Sequence, residues 1–415
     1  CVQITNDLIS YSKYLKMINI LAVYGGAKIG EQIKSLKKGP QIVVGTPGRT
    51  KDLIRRKKLF IGNIDRLILD EADEMLSMGF KDDLEFILKS ASEEKQTLTL
   101  YTWADYFDPA VIAAFEPEFS ASVQKIYYET DEAKEHYLWS SNEGVIDIVV
   151  SSGISMVDYV SQDKLDPIDL YTVKNLSHID PRFANAFPSL RSYSVPYLWG
   201  TIGVVYRSDL VTESIDSWLD LLAPKASLEN KISMIEDSRD VVGLTLKSLG
   251  YSMNSASVAE LSLANDLLVK QKPLVKRYGY SNNNDLIKGD VWMAMVYNGD
   301  GIKLAEAHDN IEFVVPKEGS GIWIDYLAVL KTAKSKDLAR AFLNYMNRPK
   351  VAAKSAEFLR YASPNKGAEI HLPKTFLANT AIYPDQTTLN NSEFFLPLSS
   401  EANKLRRSIF FSLLD

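Results

Sequence analysis

The sequence predicts an α/β protein in two pieces: a short parallel-sheet fragment in front, and a larger body of two lobes behind it. Three observations predict this. Short β-branched runs alternate with helical stretches along the chain, the pattern of a sheet flanked by helices. After Glu94 the texture changes and aromatic residues crowd in as Tyr101, Trp103, Tyr106 and Phe107. The remainder, about 310 residues, is long for one hydrophobic core and natural for two lobes.

Taken in order, strands are expected in the front piece at residues 20–23, 41–44 and 66–69, with helices at 50–56 and 81–89. In the body, Pro109 opens a helix over 109–115, since proline suits a first helical turn. Strands follow at 145–150 and 203–206 and helices at 241–249 and 337–345, while Pro196, Pro224, Pro316 and Pro364 are assigned to loops. No internal repeat or low-complexity tract interrupts this order.

The bulk properties exclude several function classes. Of 415 residues, 46% are apolar and 24% charged, ordinary for a globular protein. Cys1 is the sole cysteine, so no intrachain disulfide is expected, and His136, His178, His308 and His371 are too dispersed for a zinc site or a Cys-His nucleophile pair. No metal and no cofactor are expected. No stretch approaches the roughly 18 apolar residues of a membrane span, and the first thirty residues lack a signal-peptide pattern, so this sequence carries no expected export address. Cys1 in place of an initiator methionine suggests a start inside a longer reading frame or after processing. Of 47 basic and 53 acidic residues, the first hundred positions hold 16 and 13, leaving net charges of +3 in front and −9 behind. That asymmetry marks a boundary between pieces with different partners.

In the front piece, Tyr24-Gly25-Gly26, Val44-Gly45-Thr46-Pro47-Gly48-Arg49 and Leu69-Asp70-Glu71-Ala72-Asp73 stand in order. Together they resemble the DEAD-box RNA helicases, specifically the first RecA-like domain. The resemblance implies that Asp70 would hold the magnesium of bound ATP and Glu71 would position the attacking water, with the turn of Thr46 and Arg49 on RNA phosphates. The departures are severe. No G-x-x-x-x-G-K-[ST] phosphate loop is present, the resemblance starts at about Val2 and stops near Thr97, and no second helicase domain follows. The front piece therefore reads as a partial sheet without ATPase activity. Weak RNA-backbone contact by Arg49 and the run Arg55-Arg56-Lys57-Lys58 is the alternative, and a solvated helix end explains that run equally well.

The body offers both acids and aromatics in close groups: Trp103 with Tyr106, Asp237 with Asp240, Tyr297 with Asn298, and Trp323 with Asp325. An unpaired buried carboxylate costs several kcal/mol, so acids beside aromatics point to a cationic guest. A cation over an aromatic face gains roughly 0.5–2 kcal/mol. In Ile322-Trp323-Ile324-Asp325, the two-residue spacing puts indole and carboxylate on one face of an extended segment.

The strings Tyr101-Thr102-Trp103-Ala104-Asp105-Tyr106, Tyr193-Ser194-Val195-Pro196-Tyr197-Leu198-Trp199-Gly200-Thr201, Pro316-Lys317-Glu318-Gly319 and Tyr361-Ala362-Ser363-Pro364-Asn365 resemble the spermidine/putrescine-binding receptors of bacterial ABC importers. The likeness covers residues 98–415. It implies a two-lobe periplasmic-binding-protein fold of type II with a hinge: lobe 1 at about 98–208 and 327–380, lobe 2 at about 209–326, and a C-terminal segment at 381–415. It implies Trp103, Tyr106, Ser152 and Gly153 as lobe 1 ligand contacts, Asp237, Asp240, Tyr297, Trp323 and Asp325 as contacts of lobe 2 and the crossings, and Tyr361 closing the cage. Gly153 and Ile154 stand where several relatives have an aromatic, Tyr297 where tryptophan is common, and Asp240 where glutamate is common. The choice between diamine and triamine is left open.

Each residue also has a structural explanation. Asp237-Ser238-Arg239-Asp240 before Val241 is a good helix start, Trp199 suits a lobe core, and Trp103 and Tyr297 are ordinary core aromatics without the family context. With no nucleophile, base pair or dinucleotide loop in view, the body reads as a monomeric receptor of the periplasm or cell surface and not as an enzyme. It would close its lobes on a polyamine and dock on transporter membrane subunits, with nucleic acid no expected partner. The two pieces would make a chimera joined at Gln96-Thr97-Leu98. A helicase product with an unrelated tail and a receptor for another organic cation are the alternatives.

Overall fold

In a computed structural model, the chain is described over residues 1–415 except 15–17, 63, 65, 92–95, 141–143, 170–171, 225–227, 280–282 and 415, and except the side chains of Glu132 and Asn283. It divides into two compact units: Cys1–Thr97 with Ala114–Ser122, and Leu98–Ala113 with Val123–Asp415.

The first unit holds two parallel strands, β1 (Ile20–Val23) and β2 (Ile42–Gly45), with Ile20 opposite Ile42. Val23 packs with Leu53, Leu59, Ile61 and Ile87 in a small core supplied by the helices Pro47–Arg55 and Lys81–Ala91 and the loop between them. The helix Pro47–Arg55 begins three residues earlier than expected. Pro47 and Gly48 are tolerated there because the first-turn N–H groups have no intrahelical partner anyway. The expected strand at 66–69 is not formed. Ile68 is 80% exposed and Leu67 and Leu69 are exposed with it. Among the described residues no strand pairs with them, and an extended segment without a neighbour leaves its backbone groups to water.

The second unit is built on a ten-stranded sheet. Its strands are β3 (Gln96–Thr102), β4 (Ala121–Tyr127), β5 (Ile148–Ser152), β6 (Ser194–Arg207), β7 (Ile232–Met234), β8 (Val275–Tyr278), β9 (Met293–Tyr297), β10 (Ile311–Val314), β11 (Gly321–Val329) and β12 (Glu393–Phe394). Their order is β4-β3-β5-β11-β6-β9-β7-β8, with β10 on β6 and β12 on β11. β6 decides the architecture. Its first half runs antiparallel to β11, and its second half, from Ile202, runs antiparallel to β9 and β10. The same strand therefore belongs to both lobes, and all fourteen of its residues are buried.

Pro196 lies inside β6 and not in a loop. The β6/β11 register shifts there, with Asp325 opposite Leu198 and Tyr326 opposite Pro196, so Tyr197 is left as an extra residue. A bulge is a place where a strand tolerates a residue without an N–H.

Lobe 2 gathers Trp218, Ile232, Met234, Val241 and Leu244 into one core. The segment 381–415 is part of that core, because Phe395, Ile409, Phe410 and Leu413 pack into it from β12 onward. The helix Ser400–Leu414 lies on the helices Ser238–Ser248 and Val258–Gln271. Its buried Arg406 donates to the carbonyls of Met253 at 2.8 Å and Ser255 at 2.7 Å. Among the described residues no helix is long and apolar enough to cross a membrane.

In the second unit, strands that run directly or through a short turn into helices include β5 into Gly153–Ser161, β7 into Ser238–Ser248 and β9 into Asn298–Ala307. Their junctions carry Ser152, Asp237 and Tyr297 as the residues preceding the helices. These junctions and the middle of β11 supply the candidate site.

Candidate ligand cage between the lobes

On the lobe 1 side, β3 delivers Trp103 and the following turn delivers Tyr106. Their rings meet edge to face at 5.1 Å. Tyr106 also faces Tyr197 at 5.8 Å and Tyr361 at 6.3 Å, and its hydroxyl donates to Asp325 Oδ2 at 2.5 Å. Asp325 is only 8% exposed. As the two-residue strand period requires, Trp323 stands on the same face of β11. Its ring lies edge-on to Tyr361 at 4.7 Å and to Tyr297 at 6.2 Å.

Lobe 2 continues the row. Tyr297 donates its hydroxyl to Asp240 Oδ2 at 2.8 Å, and Arg239 donates Nε to Asp240 Oδ1 at 3.2 Å. Asp237 caps the helix Ser238–Ser248, accepting the backbone N–H of Arg239 at 2.7 Å and of Asp240 at 3.2 Å. The capping explanation therefore holds, and it leaves the Asp237 carboxylate partly exposed beside Arg239. Trp103, Tyr297 and Trp323 are half-buried, the last two packed on the edge of the lobe 2 core, whereas Trp199 is fully buried and stacked on Phe183 at 4.8 Å.

Ser152 lies opposite Asp325 in the β5/β11 register and caps the helix Gly153–Ser161. Gly153 is a packing requirement, since a Cβ there would stand 2.4 Å from the Phe187 ring. Gly299 plays the same part for Tyr361, whose ring would lie 2.3 Å from an added Cβ. The structure thus brings Trp103, Tyr106, Asp325, Tyr361, Trp323, Tyr297, Asp240 and Asp237 into one row, with Ser152 opposite Asp325, while Gly153 is buried against Phe187.

Its electrostatics are those of a site short of positive charge. Burial pushes Asp325 up to about 6, against the Tyr106 hydrogen bond and the Lys134 charge, which hold it down. Asp240 is also pushed up to about 6, by burial and the Asp237 charge against Arg239 and the Tyr297 hydrogen bond. Burial and the Asp325 charge keep the Tyr106 phenol well above its ordinary value, so it remains a donor. Two buried carboxylates flanked by aromatic faces gain from a cation and have nothing to offer an anion.

Sequence reasoning missed Tyr128, Asp131 and Lys134, and gave Tyr197 and Arg239 no role. Tyr197 Oη donates to the Tyr106 carbonyl at 3.2 Å, and the Tyr128 ring lies 5.0 Å from that of Trp103. The one available signal was Asp131 and Lys134 three apart on a helix, a spacing that ordinarily marks a solvated face.

In the first unit, Thr46 precedes the helix Pro47–Arg55, and Arg49 donates Nη1 to the Ala27 carbonyl at 3.2 Å and Gln32 Oε1 at 2.8 Å. Asp70 is exposed, and Glu71 heads the helix Ala72–Ser77 with φ 52°.

Residues 1–102 match the DEAD/DEAH box helicase family model. The body is similar to the spermidine/putrescine-binding periplasmic protein of Salmonella typhimurium, 31% identical over 73% of this chain and 87% of that protein. It is also similar to the putrescine-binding periplasmic protein PotF of Escherichia coli, 31% identical over 70% and 84%. A crystal structure of the spermidine/putrescine substrate-binding protein PotD of Streptococcus pneumoniae superposes with a TM-score of 0.70 at 31% identity, covering 77% of this chain and 99% of that one. The two-lobe architecture is that of the periplasmic binding proteins. Residues 110–383 match the family model of the bacterial extracellular solute-binding proteins, and with these likenesses the chain belongs to that family.

Proposed function

We propose that the body of the chain, about residues 98–415, captures a polyamine of the spermidine and putrescine class and hands it to an ABC importer. The observation that carries this reading is the row of aromatic rings interspersed with carboxylates that runs from Trp103 to Asp237. A polyamine presents ammonium groups separated by methylenes. Asp325 and the Asp237/Asp240 pair are the proposed partners of its charged ends, and Trp103, Tyr106, Trp323, Tyr297 and Tyr361 of its charges and methylenes. Ser152 and Gly153 are the proposed floor at the lobe 1 end. The names of the similar proteins, polyamine binders of the periplasm, support the same ligand class and an extracytoplasmic place of work.

Binding is proposed to proceed by closure of lobe 1 on lobe 2, with β6 shared between them and the segment 381–415 moving with the lobe 2 core, because only the closed state lets one guest touch both sets of residues. The closed monomer is the form proposed to dock on the transporter. Residues 1–97 take no part in capture and do not turn over ATP. The test is a tryptophan-fluorescence titration of the full chain with putrescine and spermidine, with a parallel calorimetric titration with ATP as a control. Saturable change with an amine and none with ATP supports the reading, and a folded protein silent to both amines overturns it in favour of another organic cation.

A further inference from the structure

Lys134, on the helix Asp131–Trp139, is completely buried. Its Nζ donates to Asp131 Oδ1 and to Ser151 Oγ, both at 2.6 Å, and to Ser155 Oγ at 3.4 Å. It also lies over the rings of Tyr128 at 5.3 Å and Tyr159 at 6.0 Å. One carboxylate, two hydroxyls and two aromatic faces around an ammonium are the chemistry the neighbouring cage offers to a guest amine. Fold stability alone gives little reason for this arrangement. Lysine is among the residues least often buried, and the Asp131 carboxylate, 55% exposed, could hold a partner at the surface without it.

The pocket of Lys134 is continuous with the cage. Ser155, whose hydroxyl Lys134 reaches at 3.4 Å, lies 3.4 Å from the Ser152 hydroxyl, and Ser152 stands opposite Asp325 in the β5/β11 register. Tyr128, one of the two rings under Lys134, packs on Trp103. The Lys134 charge is also one of the influences that hold the pKa of Asp325 down against its burial. Glu135, next on the helix, is committed elsewhere, accepting from Trp139 Nε1 at 2.6 Å and from the Tyr159 hydroxyl at 2.5 Å.

We propose that Lys134 is a built-in ammonium that fills the cation subsite at the lobe 1 end of the cage, so that the guest is a diamine and not a longer triamine. This rests on the polyamine reading above. With Asp131, Asp237, Asp240 and Asp325 as the acids and Lys134 and Arg239 as the bases, these six groups leave two negative charges uncompensated, which two ammonium ends neutralise. A third ammonium reaching past Asp325 meets Lys134, and like charges at such distances in a poorly solvated cleft repel strongly.

The test is calorimetric titration of the full-length wild type and of Lys134→Met with putrescine and with spermidine, the folded state of each checked by circular dichroism. Methionine keeps the length of the side chain and tolerates burial. Wild type should bind putrescine at least about tenfold more tightly than spermidine, and Lys134→Met should move that ratio toward spermidine by at least about tenfold. A wild type that binds spermidine as tightly as putrescine overturns the proposal by itself, whether or not the variant folds. An unchanged ratio in a folded variant overturns the role of Lys134 and leaves the polyamine receptor standing, whereas no binding of either amine by wild type overturns both.

Discussion

Asp325 and Asp240 carry the electrostatics of the cage, and their environment sets a pH dependence whose sign can be worked out. Both are held up near 6 from an ordinary 3.8. In the empty protein, each contributes stability that is fully present below that ordinary value and is lost as pH rises through about 6. A bound ammonium reverses the preference, because it favours the ionised carboxylate. Amine affinity should therefore rise as pH rises through about 6 and level off near 7, with protons released on binding at pH 6. Calorimetry in buffers of different ionisation heat checks this, and an affinity flat between pH 5 and about 7.5 would contradict it. Asp325→Asn should weaken binding by about a hundredfold, because one member of a buried charge pair is worth about 2–5 kcal/mol. The same change should leave thermal stability unchanged or raised, since it removes a buried carboxylate that burial disfavours. Loss of binding together with loss of the fold would instead mark Asp325 as a structural residue.

At the scale of elements, the site depends on where the β6 and β11 crossings and the strand-to-helix junctions place side chains. Gly299 opens the helix Asn298–Ala307 against the Tyr361 ring. Gly299→Ala should displace that ring, destabilise the fold by about 1–3 kcal/mol and weaken amine binding several-fold. Chemical denaturation and titration of the same preparation measure the two effects, and unchanged affinity would remove Tyr361 from the cage. Much of this was legible in the sequence. The two-residue period gave Trp323 and Asp325 a common face, and the acids before Val241 announced a cap that the structure contains. The rest was hidden for physical reasons. Residues 66–69 have the composition of a strand but, among the described residues, no strand to pair with, which no local pattern reveals. Pro196 sits at a bulge whose register is set by β11, far away in sequence. Lys134 has the spacing of a surface residue and is buried only because tertiary packing brings Ser151, Tyr128 and Tyr159 around it.

For the whole molecule, all six tryptophans lie in the second unit, at positions 103, 139, 199, 218, 292 and 323. Tryptophan emission therefore reports the body without the helicase-like piece. A saturating diamine should raise the unfolding midpoint seen by tryptophan, since at about a thousand times Kd a ligand adds about 4 kcal/mol. Residues 1–97 hold no tryptophan, so their part is read by calorimetric titration with ATP, which should show no binding, and saturable heat would restore a nucleotide role to them. The most direct test of the central claim is calorimetric titration of the full chain with putrescine and spermidine beside Asp325→Asn and Trp323→Ala. One saturable site in the wild type, weakened about a hundredfold by the first change and about tenfold by the second, is the predicted result. A folded wild type that takes up neither amine, or variants that bind as well as wild type, would contradict it.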